Sequence, residues 1–225
     1  MVEPVVASVM SRRLVTVAGT ARFKDVASVL VAWDACAVPV VDAVNRPIGV
    51  VTELDLLANL EFHGGTDALP ILGGASARRR RRKASAPTAA DLMTSPAPVI
   101  AATTRLGTAA RRLAEPHLPL LCVVDQQVRL VGILGRRQLI SLYRRPDADI
   151  VADVRAAIDA DRDRPTRSRA AVEVDVNAGV VTLNGTLAYR SHAEHAAYVA
   201  LRVAGVIAVR NHLRYDVDDL QITGF

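Results

Sequence analysis

At 225 residues, 51% hydrophobic and only 4% aromatic, the chain can bury a sizeable core, which must be built from Val, Leu, Ile and Ala. The formal charge of +5 is smaller than the six cations of one run at residues 78–83, so the remainder is near neutral. That argues against a surface that coats nucleic acid. No apolar stretch approaches the roughly 20 residues that cross a bilayer, and Met1-Val2-Glu3-Pro4 has no basic and apolar leader, so a soluble cytoplasmic protein is expected.

Residues 14–17 read as a short strand, and 20–34 as an amphipathic helix with Phe23, Val26, Ala27 and Leu30 on one face. Val38-Pro39-Val40-Val41-Asp42 is a β-rich run ended by a turn at Asn45-Arg46-Pro47. A strand at 48–52 and a helix at 53–60 follow. Residues 61–87, rich in Gly, Ala, Ser and Arg, read as a linker or loop. The same order then returns: a lead-in at 91–93, strand 98–101, helix 106–114, strands 120–125 and 129–134, and helix 136–143.

After Arg144-Arg145-Pro146 the pattern changes. Ile150, Val151, Val154 and Ile158 have helical spacing, and 162–169 is a polar loop. Val172, Val174 and Val176 alternate as a strand, Asn177-Ala178-Gly179 turns the chain, and Val181 and Leu183 continue the hairpin, with Gly185 ending that strand. A helix at 191–203 carries Ala193, Ala196, Ala197 and Ala200 on one face, and a strand at 205–213 closes an αββαβ unit.

The first half of the chain is written twice. Ser8-Val9-Met10 returns as Asp91-Leu92-Met93, Val40-Val41-Asp42 as Val123-Val124-Asp125, and Ile48-Gly49-Val50 as Val131-Gly132-Ile133. Leu56 returns as Leu139, and every pair keeps the offset that carries Val40 to Val123. So long a period, with strands and helices inside each copy, predicts two homologous α/β units with a ligand cleft between them.

The repeated unit resembles a CBS domain and the pair a Bateman module, with one repeat at 1–62, a linker at 63–87 and the second repeat at 88–145. The resemblance rests on Val9-Met10, on Val38-Pro39-Val40-Val41-Asp42, and above all on Gly49-Val50-Val51-Thr52-Glu53-Leu54-Asp55. It implies an adenosine-ligand motif, with AMP, ADP, ATP or S-adenosylmethionine as regulatory ligand and a disc-like homodimer. In that reading Thr52 meets a phosphate at a helix N-terminus, Asp55 accepts from the ribose hydroxyls, and Val17, Val38 and Pro39 lie against adenine. The residues alone leave another reading open, because Thr-x-x-Asp before an apolar run is close to a capping box that needs no ligand. The second copy has Gly135 and Gln138 where Thr52 and Asp55 stand, so at most one such site is expected. Arg136 and Arg137 read either as cations for a phosphate or as solvated helix arginines.

Residues 147–217 resemble a BON domain, followed by a tail at 218–225. Val172-Glu173-Val174-Asp175-Val176, Gly179-Val180-Val181-Thr182-Leu183-Asn184-Gly185 and the segment from Val203 to Asn211 carry the likeness. It implies binding to an anionic membrane surface or a protein partner. The expected fold class is therefore α/β (α+β): a CBS pair with pseudo-twofold symmetry and a small αββαβ domain.

Cys36 and Cys122 sit among apolar neighbours and read as small buried hydrophobes. His192 and His195 have a spacing compatible with a metal on a helix, but surface positions explain them as well. The acids at Asp153, Asp159, Asp161 and Asp163 lack the Gly and Glu of a calcium loop. No nucleophile, phosphate loop or metal motif appears, so no catalytic or metal residues are named and an enzyme is not expected. The expectation is a regulatory protein that senses an adenosine-containing nucleotide through the CBS pair and signals through the BON domain or a partner. The alternative is a non-sensing dimerisation platform whose BON domain does the binding.

Overall fold

The computed structural model describes residues 4–64, 82–83, 85–160 and 172–220. Residues 65–81 and 84 of the linker, with most of the arginine run, the polar loop at 162–169 with Asp161 and Asp163, and tail residues 221–225 lie outside the described residues. Two units are present, one over Val5–Leu139 and one built mainly from the chain after Leu139.

In the first unit, one repeat contributes β1 (Val17–Ala18), α1 (Phe23–Ala32), β2 (Ala37–Val41), β3 (Pro47–Thr52) and α2 (Glu53–Gly64). The other contributes α3 (Ala89–Leu92), β4 (Val99–Ala101), α4 (Leu106–Leu113), β5 (Leu120–Val124), β6 (Leu130–Gly135) and α5 (Arg136–Ile140). Each repeat forms a three-stranded sheet, ordered β1-β2-β3 and β4-β5-β6. In each, a parallel pair joins an antiparallel hairpin, and a register shift falls at Val40/Val41 and again at Val123/Val124. The matching Asp42 and Asp125 bind the turns that follow: Asp42 accepts from Val44 and Arg46 N–H, Asp125 from Gln127 and Arg129 N–H. The Arg129 backbone N–H, helped by its side chain and the Gln127 N–H, holds the Asp125 carboxyl below the usual carboxylate range.

The central strands are buried on both faces, which explains their nearly unbroken Val and Leu content. Val38, Val40 and Val51 pack with Val17, Val26 and Leu30 beneath α1. Ala37 and Val50 face the other way, onto Ala97, Leu120 and Cys122 of the second repeat. Each fully buried valine or leucine there contributes about 1.5–3 kcal/mol. Burial also pushes the Cys122 thiol up to about 12.

The repeats exchange their lead-in segments. Val6 and Ala7 N–H donate to Thr104 and Ala102 C=O, while Ala89 and Ala90 N–H donate to Ala21 and Gly19 C=O. Ser11 bridges to Ile133, and Thr94 bridges to Val50. All these contacts come in pairs at the sequence offset of the repeat. Ala89 and Leu92 consequently belong to the first repeat's core, although they lie in the second repeat's sequence. The exchange accounts for the two motif glycines. A Cβ on Gly132 would stand 2.5 Å from Met10 Sδ, and one on Gly49 would stand 2.8 Å from Met93 Cγ.

In the second unit, α6 (Asp147–Ala160) and α7 (Arg190–Leu201) pack on a sheet ordered β7-β8-β9, made of Glu173–Asn177, Val180–Tyr189 and Ala208–Val217. Ile150, Val154 and Ile158 from α6 and Ala193, Ala196, Val199 and Ala200 from α7 close over Val174, Val181 and Leu183. Small residues on α7 let that helix approach the strands closely. The Asp147 carboxylate accepts from Ala178 and Gly179 N–H, tying α6 to the hairpin turn. Among the described residues, no helix is long and apolar enough to cross a membrane.

Four expectations shift. The first strand lies at Val17–Ala18 rather than 14–17, and the helix expected at 136–143 passes into a 3-10 turn at Ser141–Arg144. Gly185 does not end its strand: β8 runs on to Tyr189, with Gly185 at φ 133 opposite Leu213. Cys36 is exposed, because it precedes β2 in the tight turn opened by Asp34 at φ 46.

Candidate functional site

Strand β3 delivers Thr52 directly into the first turn of α2, so the Thr-x-x-Asp spacing places Asp55 back over the strand's end. Asp55 Oδ2 accepts from Thr52 N–H at 2.8 Å and from Thr52 Oγ1 at 2.9 Å. The Thr52 hydroxyl in turn accepts from Asp55 N–H at 3.3 Å. This is a reciprocal cap at the helix N-terminus.

The other carboxylate oxygen is engaged differently. Lys83 Nζ donates to Asp55 Oδ1, and at 3.1 Å to Thr94 Oγ1. Both charges are shielded from water, the side chains being 8% exposed for Lys83 and 13% for Asp55. Thr94 belongs to the exchanged lead-in, its backbone paired with Val50 on β3. Three parts of the chain therefore meet here: the β3–α2 motif, the end of the linker and the start of the second repeat. Lys83 was not singled out from the sequence, because it closes a charge run that reads as solvated. The available signal was composition, since Lys24 and Lys83 are the only lysines in the chain.

The expected adenine contacts lie nearby on β1 and β2. Val17 pairs with Val40 across the parallel ladder, and Val17 and Val38 are core residues, 7% and 0% exposed. Alternation along β2 turns Pro39 away from the face that Val38 occupies and toward the face shared with the second repeat.

The second copy keeps the cap and loses the charge. Gln138 Oε1 accepts from Gly135 N–H at 2.9 Å, the counterpart of the Thr52–Asp55 bond. Arg136 donates to Leu113 and Glu115 C=O, both at 2.8 Å, and so closes the C-terminus of α4. Arg137 and Asp34 stand 3.9 Å apart with both side chains at least 90% exposed, a pair of little energetic weight. Among the described residues, no three His, Cys, Asp or Glu converge on a metal-sized site, and His192 instead packs edge-on against Tyr189.

Comparison with known families matches the CBS domain model at residues 6–61 and 89–145 and the BON domain model at 146–216. Among solved structures, CBSX2 in complex with AMP is 31% identical with a TM-score of 0.52, covering 60% of this chain and 93% of that one. A second structure, of the CBS-pair protein CBSX2 from Arabidopsis thaliana, is 28% identical with a TM-score of 0.47, covering 70% and 96%. Protein MJ1225 from Methanocaldococcus jannaschii is 17% identical with a TM-score of 0.50, covering 66% and 55%, and shares the fold. No curated protein matches the chain.

Proposed function

The chain belongs to the CBS-domain family, its pair of repeats followed by a BON domain, and from that premise we propose a regulatory protein that binds an adenosine-containing nucleotide in its first repeat. The observation that carries this reading is the shielded Asp55 carboxylate beside the Thr52 hydroxyl at the N-terminus of α2. A carboxylate can accept both hydroxyls of a ribose diol, and a hydroxyl at a helix N-terminus suits a phosphate. Pro39 and the backbone of β1 and β2 around Val17 and Val38 would border the adenine. The AMP complex of CBSX2 supports an adenine nucleotide as ligand. Gln138 offers no bidentate carboxylate, so one ligand per chain is expected.

Binding regulates only if the ligand prefers one arrangement of the repeats, and the exchanged lead-ins supply a connection, because Thr94 joins the site to the second repeat. The BON domain or a protein or anionic-membrane partner would receive the signal. A homodimer is supported by Leu54, Leu57 and Leu60 of α2, which are 76%, 52% and 66% exposed along one helix. The same stripe favours the alternative of a dimerisation platform that senses nothing.

Isothermal titration calorimetry of the full chain with AMP, ADP, ATP and S-adenosylmethionine separates the two. Saturable binding near one per chain, abolished by Asp55→Asn, is expected. Asparagine keeps an acceptor for the cap, as Gln138 does, and removes only the carboxylate. Binding unchanged in Asp55→Asn, or none by the parent chain, would refute a nucleotide site at this motif.

A further inference from the structure

We infer that Lys83 is the specificity-determining residue of this site, restricting it to adenosine ligands that carry a phosphate. The inference rests on the nucleotide reading above and goes beyond it, because nothing in the motif itself distinguishes a nucleotide from a nucleoside.

The argument begins with what already holds Asp55. One carboxylate oxygen is bound by Thr52 N–H and Oγ1, and the other by the Lys83 ammonium. Oδ2 is filled by Thr52 and Oδ1 has one acceptor position left, so a ribose diol that gives both hydroxyls to Asp55 displaces Lys83. The displaced ammonium keeps the Thr94 hydroxyl, which is neutral, and its side chain is only 8% exposed. A buried ammonium without an anion is strongly disfavoured. A ligand is therefore favoured when it brings an anion of its own within reach of the displaced ammonium. A 5′-phosphate does this, being joined to the same ribose whose hydroxyls Asp55 accepts. Adenosine brings no anion. S-adenosylmethionine puts a sulfonium cation on the 5′ carbon, where AMP has its phosphate, and carries its carboxylate several bonds further out.

The residue type fits an exchange of partners. Lys83 follows five consecutive arginines, Arg78-Arg79-Arg80-Arg81-Arg82, and the ammonium stands at the position that reaches Asp55. An arginine fork would fix a bidentate pair with the carboxylate, whereas a compact ammonium on a four-carbon stem can turn from carboxylate to phosphate. Glu53 also lies in the first turn of α2, so a phosphate arriving there meets an acidic neighbour and needs the compensating cation.

The test is calorimetry of the full chain and of Lys83→Met with AMP, adenosine and S-adenosylmethionine, fold being checked by circular dichroism. The parent chain is expected to bind AMP roughly ten- to a hundredfold more tightly than adenosine, and S-adenosylmethionine more weakly still. In Lys83→Met, AMP should weaken and adenosine should tighten, because Asp55 no longer has a competing cation, and the preference should collapse. Lys83→Arg, whose fork would stay on the Asp55 carboxylate, should weaken AMP and adenosine alike. If the parent chain binds adenosine or S-adenosylmethionine as tightly as AMP, the inference fails while the nucleoside site stands. The same holds if Lys83→Met folds and keeps the full AMP preference. If no adenosine compound binds the parent chain, the underlying reading falls and the inference falls with it. The comparison of ligands on the parent chain decides the matter even if a variant does not fold.

Discussion

Replacing Asp55 by alanine tests the energetics of the candidate site against an internal control, the second repeat. Two interactions are lost together. The first is the cap on α2, made through Thr52 N–H and Oγ1, for which about 1 kcal/mol is typical. The second is the anion that partners Lys83, and removing one member of a shielded ion pair costs about 3 kcal/mol or more. Asp55→Ala should therefore lower stability by about 4 kcal/mol. Gln138→Ala removes the neutral counterpart of that cap, the bond from Gly135 N–H, with no charge left unpaired, and should cost about 1 kcal/mol. The charge contribution is isolated by Asp55→Ala combined with Lys83→Met, which leaves no unpaired ammonium. That double variant should recover most of the difference and fall near the Gln138→Ala value. Urea titrations of the full-length variants, followed by circular dichroism at about 222 nm, give the midpoints and slopes needed. If Asp55→Ala costs no more than Gln138→Ala, or if Lys83→Met restores nothing, the ion pair does not contribute in this way. The reasoning that makes Lys83 expensive to unpair would then be wrong.

Three further outcomes follow from the packing. Gly132→Ala and Gly49→Ala should each destabilise by about 1–3 kcal/mol, since the new Cβ at 132 meets Met10 and, at 3.2 Å, the Ser11 carbonyl, while at 49 it meets Met93 as far in as its Cβ, at 3.0 Å. An unchanged urea midpoint for either variant would show that the exchanged lead-in does not pack tightly against that glycine. Val128→Asn should stabilise by about 1 kcal/mol, because Val128 sits at φ 62, a conformation its branched side chain resists, and the first repeat has Asn45 at φ 61 in the same turn. An unchanged or lowered melting midpoint would contradict that. Ellman's reagent should titrate one thiol in the native protein and two in denaturant, since Cys36 is exposed and Cys122 is buried with its thiol held in the protonated form. Two fast thiols in the native state would place Cys122 outside the core.

The strands and helices were legible because each apolar run has a period: Val26 and Leu30 on α1, Ile150, Val154 and Ile158 on α6, and the alternation in β7. Periodicity shows which face is apolar and not which body covers it. The exchange of lead-ins was therefore hidden, although its signal lay in the repeat itself, in Met10 and Met93 beside Gly132 and Gly49. Gly185 was misplaced for a related reason: a glycine marks unusual backbone, and a strand interior with φ 133 satisfies that as well as a strand end.

At the candidate site the sequence left two readings of Thr52 and Asp55, helix cap or ligand motif, and the structure bears on that choice through the second repeat. The cap is present in both copies, so a cap alone does not explain why one copy uses a carboxylate. Gln138 shows that a neutral acceptor suffices to hold the strand–helix junction. A shielded negative charge costs more than an amide, and here it is balanced by a cation brought from the end of the linker rather than by any neighbour in sequence. A junction that needed only a cap would not require both charges. Under the proposed reading Asp55 would have a second role toward a diol and Lys83 toward an anion, and the Gly135–Gln138 copy, with an amide in place of the carboxylate, would keep only the cap.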